Sequence, residues 1–281
     1  MEMRKGFQWR TAVCAVLACL VLIGGTAWAL MDGLVWPEAT GEAVDTSDRL
    51  TIDYSHVDQG YVMAHGPSTS KQLRLVVNKD GNELQYTLNG NEEWEIIPLQ
   101  FGDGNYNFTL AIQASGYSFQ VGGKMTITAE FENANSVYLI PNQYVAYSPE
   151  NEANVEAMEK SDELCEGLTT DEEKFEAIRA YMKENYTYDF DKARTVTGGT
   201  LPSAEYAWEK GMGICQDLAA LAACMLRVQG VPVKLEIGYL GGNYYHAWNS
   251  VYLNGEWVRY DPTMELNAIP TGYSYSLQRW Y

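Results

Sequence analysis

The chain is short of positive charge, of histidine and of paired metal ligands. Lys and Arg number 19 against 37 Asp and Glu, a formal net charge of −18. Nucleic-acid binding needs clustered basic side chains to displace counterions from phosphate, and adsorption to anionic lipid needs the same sign, so both are excluded as partners. Five Cys and three His are present, with no Cys-x-x-Cys and no His-x-x-x-His pair. A zinc ribbon or finger requires four closely spaced ligands, so neither a metal nor another cofactor is expected. Asn78-Lys79-Asp80-Gly81-Asn82-Glu83 lacks the twelve-residue spacing of a calcium loop and reads as a hairpin turn. Repeats are absent. With 46% hydrophobic and 20% charged residues, no bias points to disorder, collagen or coiled coil.

Hydrophobic length is concentrated at the start. Arg4, Lys5 and Arg10 precede Thr11–Met31, a run without a charge that would extend about 30 Å as a helix, enough for one bilayer crossing. The same stretch has the layout of a signal peptide, ending in the small-x-small site Ala27-Trp28-Ala29. Val16-Leu17-Ala18-Cys19 resembles a lipoprotein cleavage site, but the apolar run continues past it. Residues 1–31 therefore read as signal peptide or membrane anchor, which places everything after Asp32 outside the cytoplasm. Contact with the membrane is expected only through this segment. Beyond it lie Cys165, Cys215 and Cys224. Three is odd, so at least one thiol is free or pairs outside the chain, although an oxidising compartment permits disulfides.

Residues 32–48 are acidic and turn-rich with neither strand nor helix period, the composition of a linker. From 49 to 148 short runs of Val, Ile, Thr, Tyr and Phe alternate with Asp80-Gly81, Asn89-Gly90, Asp103-Gly104 and Gly122-Gly123, read as turns. That pattern predicts an antiparallel β-sandwich. His56 and His65 lie in it without partner motifs and read as packing or surface residues. After Pro149 the period becomes helical. Helices are predicted over Asn151–Cys165, after the capping box Thr170-Asp-Glu-Glu173, over Ser203–Lys210 and from Cys215 to Gln229. Strands follow at Val233–Tyr239, His246–Leu253 and Glu256–Asp261. Residues 149–281 thus form an α+β domain behind the sandwich.

The chemistry concentrates in this second part. Gly211-Met-Gly213-Ile-Cys215 is a glycine turn that delivers Cys215 to the first turn of an apolar helix. Unpaired N–H groups and the helix dipole there favour a thiolate and can receive an oxyanion. Cys224, two and a half turns on, points elsewhere and reads as core packing. The one histidine of this part is His246. Asn254-Gly255 between two alternating runs predicts a two-residue type I′ hairpin in which Leu253 faces Glu256. Extending that register places Asp261 opposite Trp248, hence diagonal to His246, with Cα atoms about 7–8 Å apart. A nucleophile, a base and an orienting carboxylate are thereby implied: Cys215, His246 and Asp261. Taken singly, a cysteine at a helix start or a histidine among aromatics is more often packing than chemistry.

Gly213-Ile-Cys215-Gln-Asp-Leu-Ala219, Met225-Leu-Arg227-x-x-Gly230-Val-Pro232, Gly238-Tyr239, His246-Ala-Trp-Asn249 and Asp261-Pro-Thr263 resemble the transglutaminase-like superfamily. The chain is also similar to exported bacterial members whose β-domain ends in a Pro-Asn-Gln-Tyr-Val segment, here Pro141–Val145. The resemblance implies a papain-like catalytic fold and a Cys-His-Asp triad. Cys215 would be the nucleophile, His246 the general base and acid, Asp261 the orienter, and Tyr188 is suggested as a second oxyanion donor. Asn249-Ser250 departs from the Asn-Glu of many relatives but lies outside the triad. The implied function is an exported thiol-dependent acyl-transfer enzyme acting on a peptide or protein substrate, with hydrolysis favoured over amine cross-linking. The competing reading is a catalytically silent surface binding or scaffold module, whose sign would be a broken triad.

Overall fold

The structure is a computed structural model and describes residues 36–269 and 272–281. The segment expected as signal peptide or anchor, and the first residues of the expected linker, lie outside the described residues. Among those described, no helix is long and apolar enough to cross a membrane. The architecture is α+β.

Eight strands build the sandwich. β1 (Val44–Ser47), β2 (Leu50–Asp53), β3 (Tyr61–His65) and β6 (Glu95–Pro98) form one sheet in the order β1-β2-β3-β6. β4 (Leu73–Lys79), β5 (Asn82–Leu88), β7 (Gly104–Ser115) and β8 (Ser118–Ala129) form the other, ordered β5-β4-β7-β8. Period-2 burial makes the core. Leu73, Leu75 and Val77 pair with Leu88, Tyr86 and Leu84 on one side and with Ile112, Leu110 and Phe108 on the other. Asp80 and Gly81 take positive φ and close the β4–β5 hairpin.

Two expectations are corrected here. Val44–Ser47, inside the segment read as linker, is an edge strand antiparallel to β2. None of its residues is buried, which is why it carries no hydrophobic alternation. Gly122-Gly123 is not a turn but the middle of β8. A Cβ on Gly123 would lie 2.2 Å from the Ser47 carbonyl oxygen, so glycine lets the two sheets approach at their edge.

The second part opens with α1 (Glu152–Cys165) and α2 (Asp171–Asn185), the latter started by the Thr170/Glu173 capping box. The short α3 (Phe190–Thr195) and α4 (Ala204–Lys210) lead to α5 (Cys215–Arg227). Every residue of α5 from Asp217 to Arg227 is buried, as expected of a helix apolar around most of its circumference. It packs on an antiparallel sheet ordered β13-β12-β11-β14, made of β11 (Val233–Leu240), β12 (Tyr244–Leu253), β13 (Glu256–Tyr260) and β14 (Tyr275–Trp280). The β12–β13 register is the one read from Asn254-Gly255: Leu253 faces Glu256 and Asn249 faces Tyr260. The strand expected to reach Asp261 stops at Tyr260, because Asp261 caps a short helix, α6 (Pro262–Leu266), with proline in its first turn.

The buried core runs across Pro149 without a break, from Leu50 through Tyr147 to Tyr281. Tyr281 stacks on Tyr144 at 3.4 Å between ring centroids and meets Tyr86 edge-on at 5.9 Å. Arg227, fully buried, donates to the carbonyls of Ile140, Val233 and Tyr281 and so ties the end of the β-part to α5 and the second sheet. Burial pulls its pKa down to about 10, still protonated at neutral pH.

Candidate active site

Cys215 stands at the first position of α5, and the turn before it is a structured element. Thr187–Tyr188 (β9) and Met212–Gly213 (β10) form a two-stranded parallel ribbon that sets Tyr188 beside Gly213. Gly211 takes positive φ to end α4, and a Cβ on Gly213 would meet that of Asp217 at 2.8 Å. Asp217, wholly buried, accepts from the backbone N–H of Ile214 at 3.1 Å and of Ser203 at 3.0 Å, and pairs with Lys192 Nζ at 2.7 Å. This carboxylate locks the helix start to the neighbouring loops. The first N–H groups of α5 are left without intrahelical acceptors, as at any helix start.

His246 lies on β12, beyond the last pair of the β12–β13 ladder. Its Nε2 is 2.7 Å from Asp261 Oδ2, and both side chains are nearly buried. Nδ1 is the ring nitrogen left for the Cys215 thiol, which lies near enough to the same imidazole to raise its pKa. Burial pulls the imidazole pKa down, but the bond to Asp261 and the neighbouring Asp261 and Cys215 groups outweigh it and raise it to about 9. Asp261 is itself fixed. Oδ1 accepts from Met264 N–H at 3.1 Å, and Oδ2 also accepts from Tyr275 Oη at 2.8 Å. Tyr275 packs edge-on against Trp248, whose ring lies beside that of His246.

Cys215, His246 and Tyr188 open on one cavity of about 330 Å³. Burial, followed by the neighbouring Cys215, pushes the Tyr188 hydroxyl up to about 12, so it remains a donor at neutral pH. The structure therefore brings together all four residues singled out from the sequence. Sequence reading missed Tyr275, Asp217, Lys192 and Arg279, another residue lining this cavity. Tyr275 and Arg279 sit on β14, which reaches the site by pairing with β11, a long-range contact with no local signature. Asp217 had one, three residues after the Ile214 cap position. His56 and His65 remain in the sandwich, against Tyr61 and Trp94 respectively. All three described cysteines are free thiols, Cys165 and Cys224 buried. Burial pushes the Cys165 thiol up to about 11 and that of Cys224 up to about 12.

A thiol, an imidazole and a carboxylate linked at a helix start define a cysteine acyl-transfer type of centre. The model of the transglutaminase-like superfamily matches residues 159–262, a stretch that holds all three groups. The curated proteins give no match. Among solved structures the chain is similar to a proposed cysteine protease from Cytophaga hutchinsonii, at 14% identity and TM-score 0.40, covering 77% of this chain and 81% of the other. A proposed protease from Parabacteroides distasonis aligns at 13% identity and TM-score 0.35, over 72% of this chain and 37% of that one. The red sea bream transglutaminase aligns at 11% identity and TM-score 0.25, over 72% and 47%.

Proposed function

We propose that this protein is an exported thiol-dependent acyl-transfer enzyme that hydrolyses amide bonds in a peptide or protein substrate. The observation that carries the reading is His246, held by Asp261 through Nε2 and lining the same cavity as Cys215 at the start of α5. His246 takes the thiol proton and Sγ attacks the amide carbonyl carbon. In this scheme the N–H groups at the start of α5 and the Tyr188 hydroxyl receive the oxyanion. The C–N bond breaks as the imidazolium returns its proton to the leaving amine, which departs. Water then attacks the acyl-thioester carbonyl, its proton passing to His246, and the C–S bond breaks to give the acid and the free thiol. An amine in place of water would make a cross-link. We favour water, which needs no binding pocket of its own to reach the acyl-thioester. Export rests on the composition of residues 1–31, and cell fractionation with protease accessibility of the full chain tests it.

The direct test is modification by iodoacetamide at pH 6, read by peptide mass spectrometry. Cys215 should label while Cys165 and Cys224 lag, because their thiols are buried and shifted to high pKa. Cys215→Ala should abolish both labelling at that position and any acyl-enzyme formed with peptide amides. Equal rates at all three cysteines would overturn the assignment.

A further inference from the structure

The cavity that holds Cys215 and His246 has one permanently charged lining residue, Arg279, and no acidic one. That is unusual for a chain of net charge −18. Arg279 projects from β14, whose register sets it opposite Ile237 of β11, itself opposite Ala247 beside His246. Its Nη2 donates to Tyr245 Oη at 2.5 Å, and Tyr245 lines the same cavity. Its Nε is buried without a hydrogen-bond partner. Among the described residues Arg279 has no ion-pair partner. The planar guanidinium fork is suited to a carboxylate, which it binds in a two-pronged bond. Here the catalytic cavity itself is where that match is lacking.

We propose that Arg279, positioned by Tyr245, binds a carboxylate of the substrate and so selects amides bearing an anionic group close to the scissile bond. The proposal rests on the acyl-transfer reading above and supplies its substrate class. An acidic side chain and a free chain terminus both present such a carboxylate, and the guanidinium recognises the same planar group in both. Arg279 is a specificity residue in this scheme, while bond making stays with Cys215. A lone cation set in a negatively charged molecule also offers discrimination against neutral analogues, since a neutral group leaves its donors unmatched.

Two isosteric alkylating agents test it without a known substrate. Iodoacetate carries a carboxylate where iodoacetamide carries an amide, so the ratio of their rates at Cys215 reads the anion preference of the cavity. In the full chain Arg279→Gln should lower that ratio on the order of tenfold, Arg279→Lys should keep part of it, and Tyr245→Phe should fall between. Because His246 is present in every variant, its own charge cancels in the comparison. Peptide libraries pairing Glu with Gln, and free C-terminal acid with amide, then separate side-chain from terminal carboxylates; Arg279→Gln should erase the preference found, chiefly through KM. An unchanged alkylation ratio in both Arg279 variants, with Cys215 still reactive, overturns the proposal. Failure of Cys215 to react with either reagent would instead overturn the acyl-transfer reading.

Discussion

His246 is held at one ring nitrogen by a carboxylate that is held in turn by Met264 N–H and Tyr275 Oη. Rotation of the imidazole would break the Asp261 bond, so Nδ1 stays turned to the thiol. The same contact sets the protonation range. With the imidazole raised to about 9, kcat/KM should fall at alkaline pH with an apparent pKa near that value, as the proton needed by the leaving amine is lost. Asp261→Asn removes the charge that favours the imidazolium. Its alkaline limb should move down toward the ordinary histidine value, and kcat should drop by roughly 10²–10⁴-fold with secondary structure intact. A pH–rate profile of the two proteins checks both. The linkage to stability has a definite sign. Because the folded pKa lies above the unfolded one of about 6.5, the His246 contribution is complete below that value and is lost as pH rises through about 9.

At the scale of the elements, Asn254-Gly255 transmits order from a turn to the site. Asn254 and Gly255 both take positive φ, the requirement of a type I′ turn, and two residues suffice to fix which side chains face one another along β12 and β13. Inserting one glycine after Gly255 should disturb that pairing and displace Asp261 from His246. The expected outcome is a loss of activity at least as large as that of Asp261→Asn, with the helical circular-dichroism signal retained. A folded insertion variant of full activity would show that α6 and Tyr275, not the hairpin, place the carboxylate. The legibility of the site follows the same logic. The Cys215 helix start and the nearness of Asp261 to His246 could be read because a cap position and a tight turn act within a few residues, although Asp261 meets the imidazole from a helix cap and not from the strand. Tyr275 and Arg279 could not, because β14 reaches the site by pairing with β11, which lies far back in the chain. β1 escaped notice for another reason: an exposed edge strand needs no apolar face, so Val44–Ser47 looks like linker in composition.

The whole molecule is held across the change from strands to helices at Pro149. Sequence composition divides the chain there, yet Tyr86, Tyr144 and Tyr281 form one aromatic cluster across the division, and Gln100 Nε2 donates to the Trp280 carbonyl at 3.2 Å. Arg227 lies at the centre of this junction. Its guanidinium serves three carbonyls drawn from both sides of Pro149, each in a fully buried setting. A lysine keeps the charge but cannot reproduce the planar fork, so Arg227→Lys leaves at least one buried carbonyl short of a donor. The cost should be about 2–4 kcal/mol, or roughly 5–15 °C in Tm for a chain of this size. The form of the loss is the sharper measurement. If the two parts unfold as one body, calorimetry of the variant should show a single transition moved down as a whole, with tryptophan fluorescence and far-ultraviolet circular dichroism moving together. If they unfold separately, the substitution should lower the transition of the helical part and leave that of the sandwich in place. The continuous core predicts the first outcome, and two resolved transitions would show that the aromatic junction is a contact between independent domains.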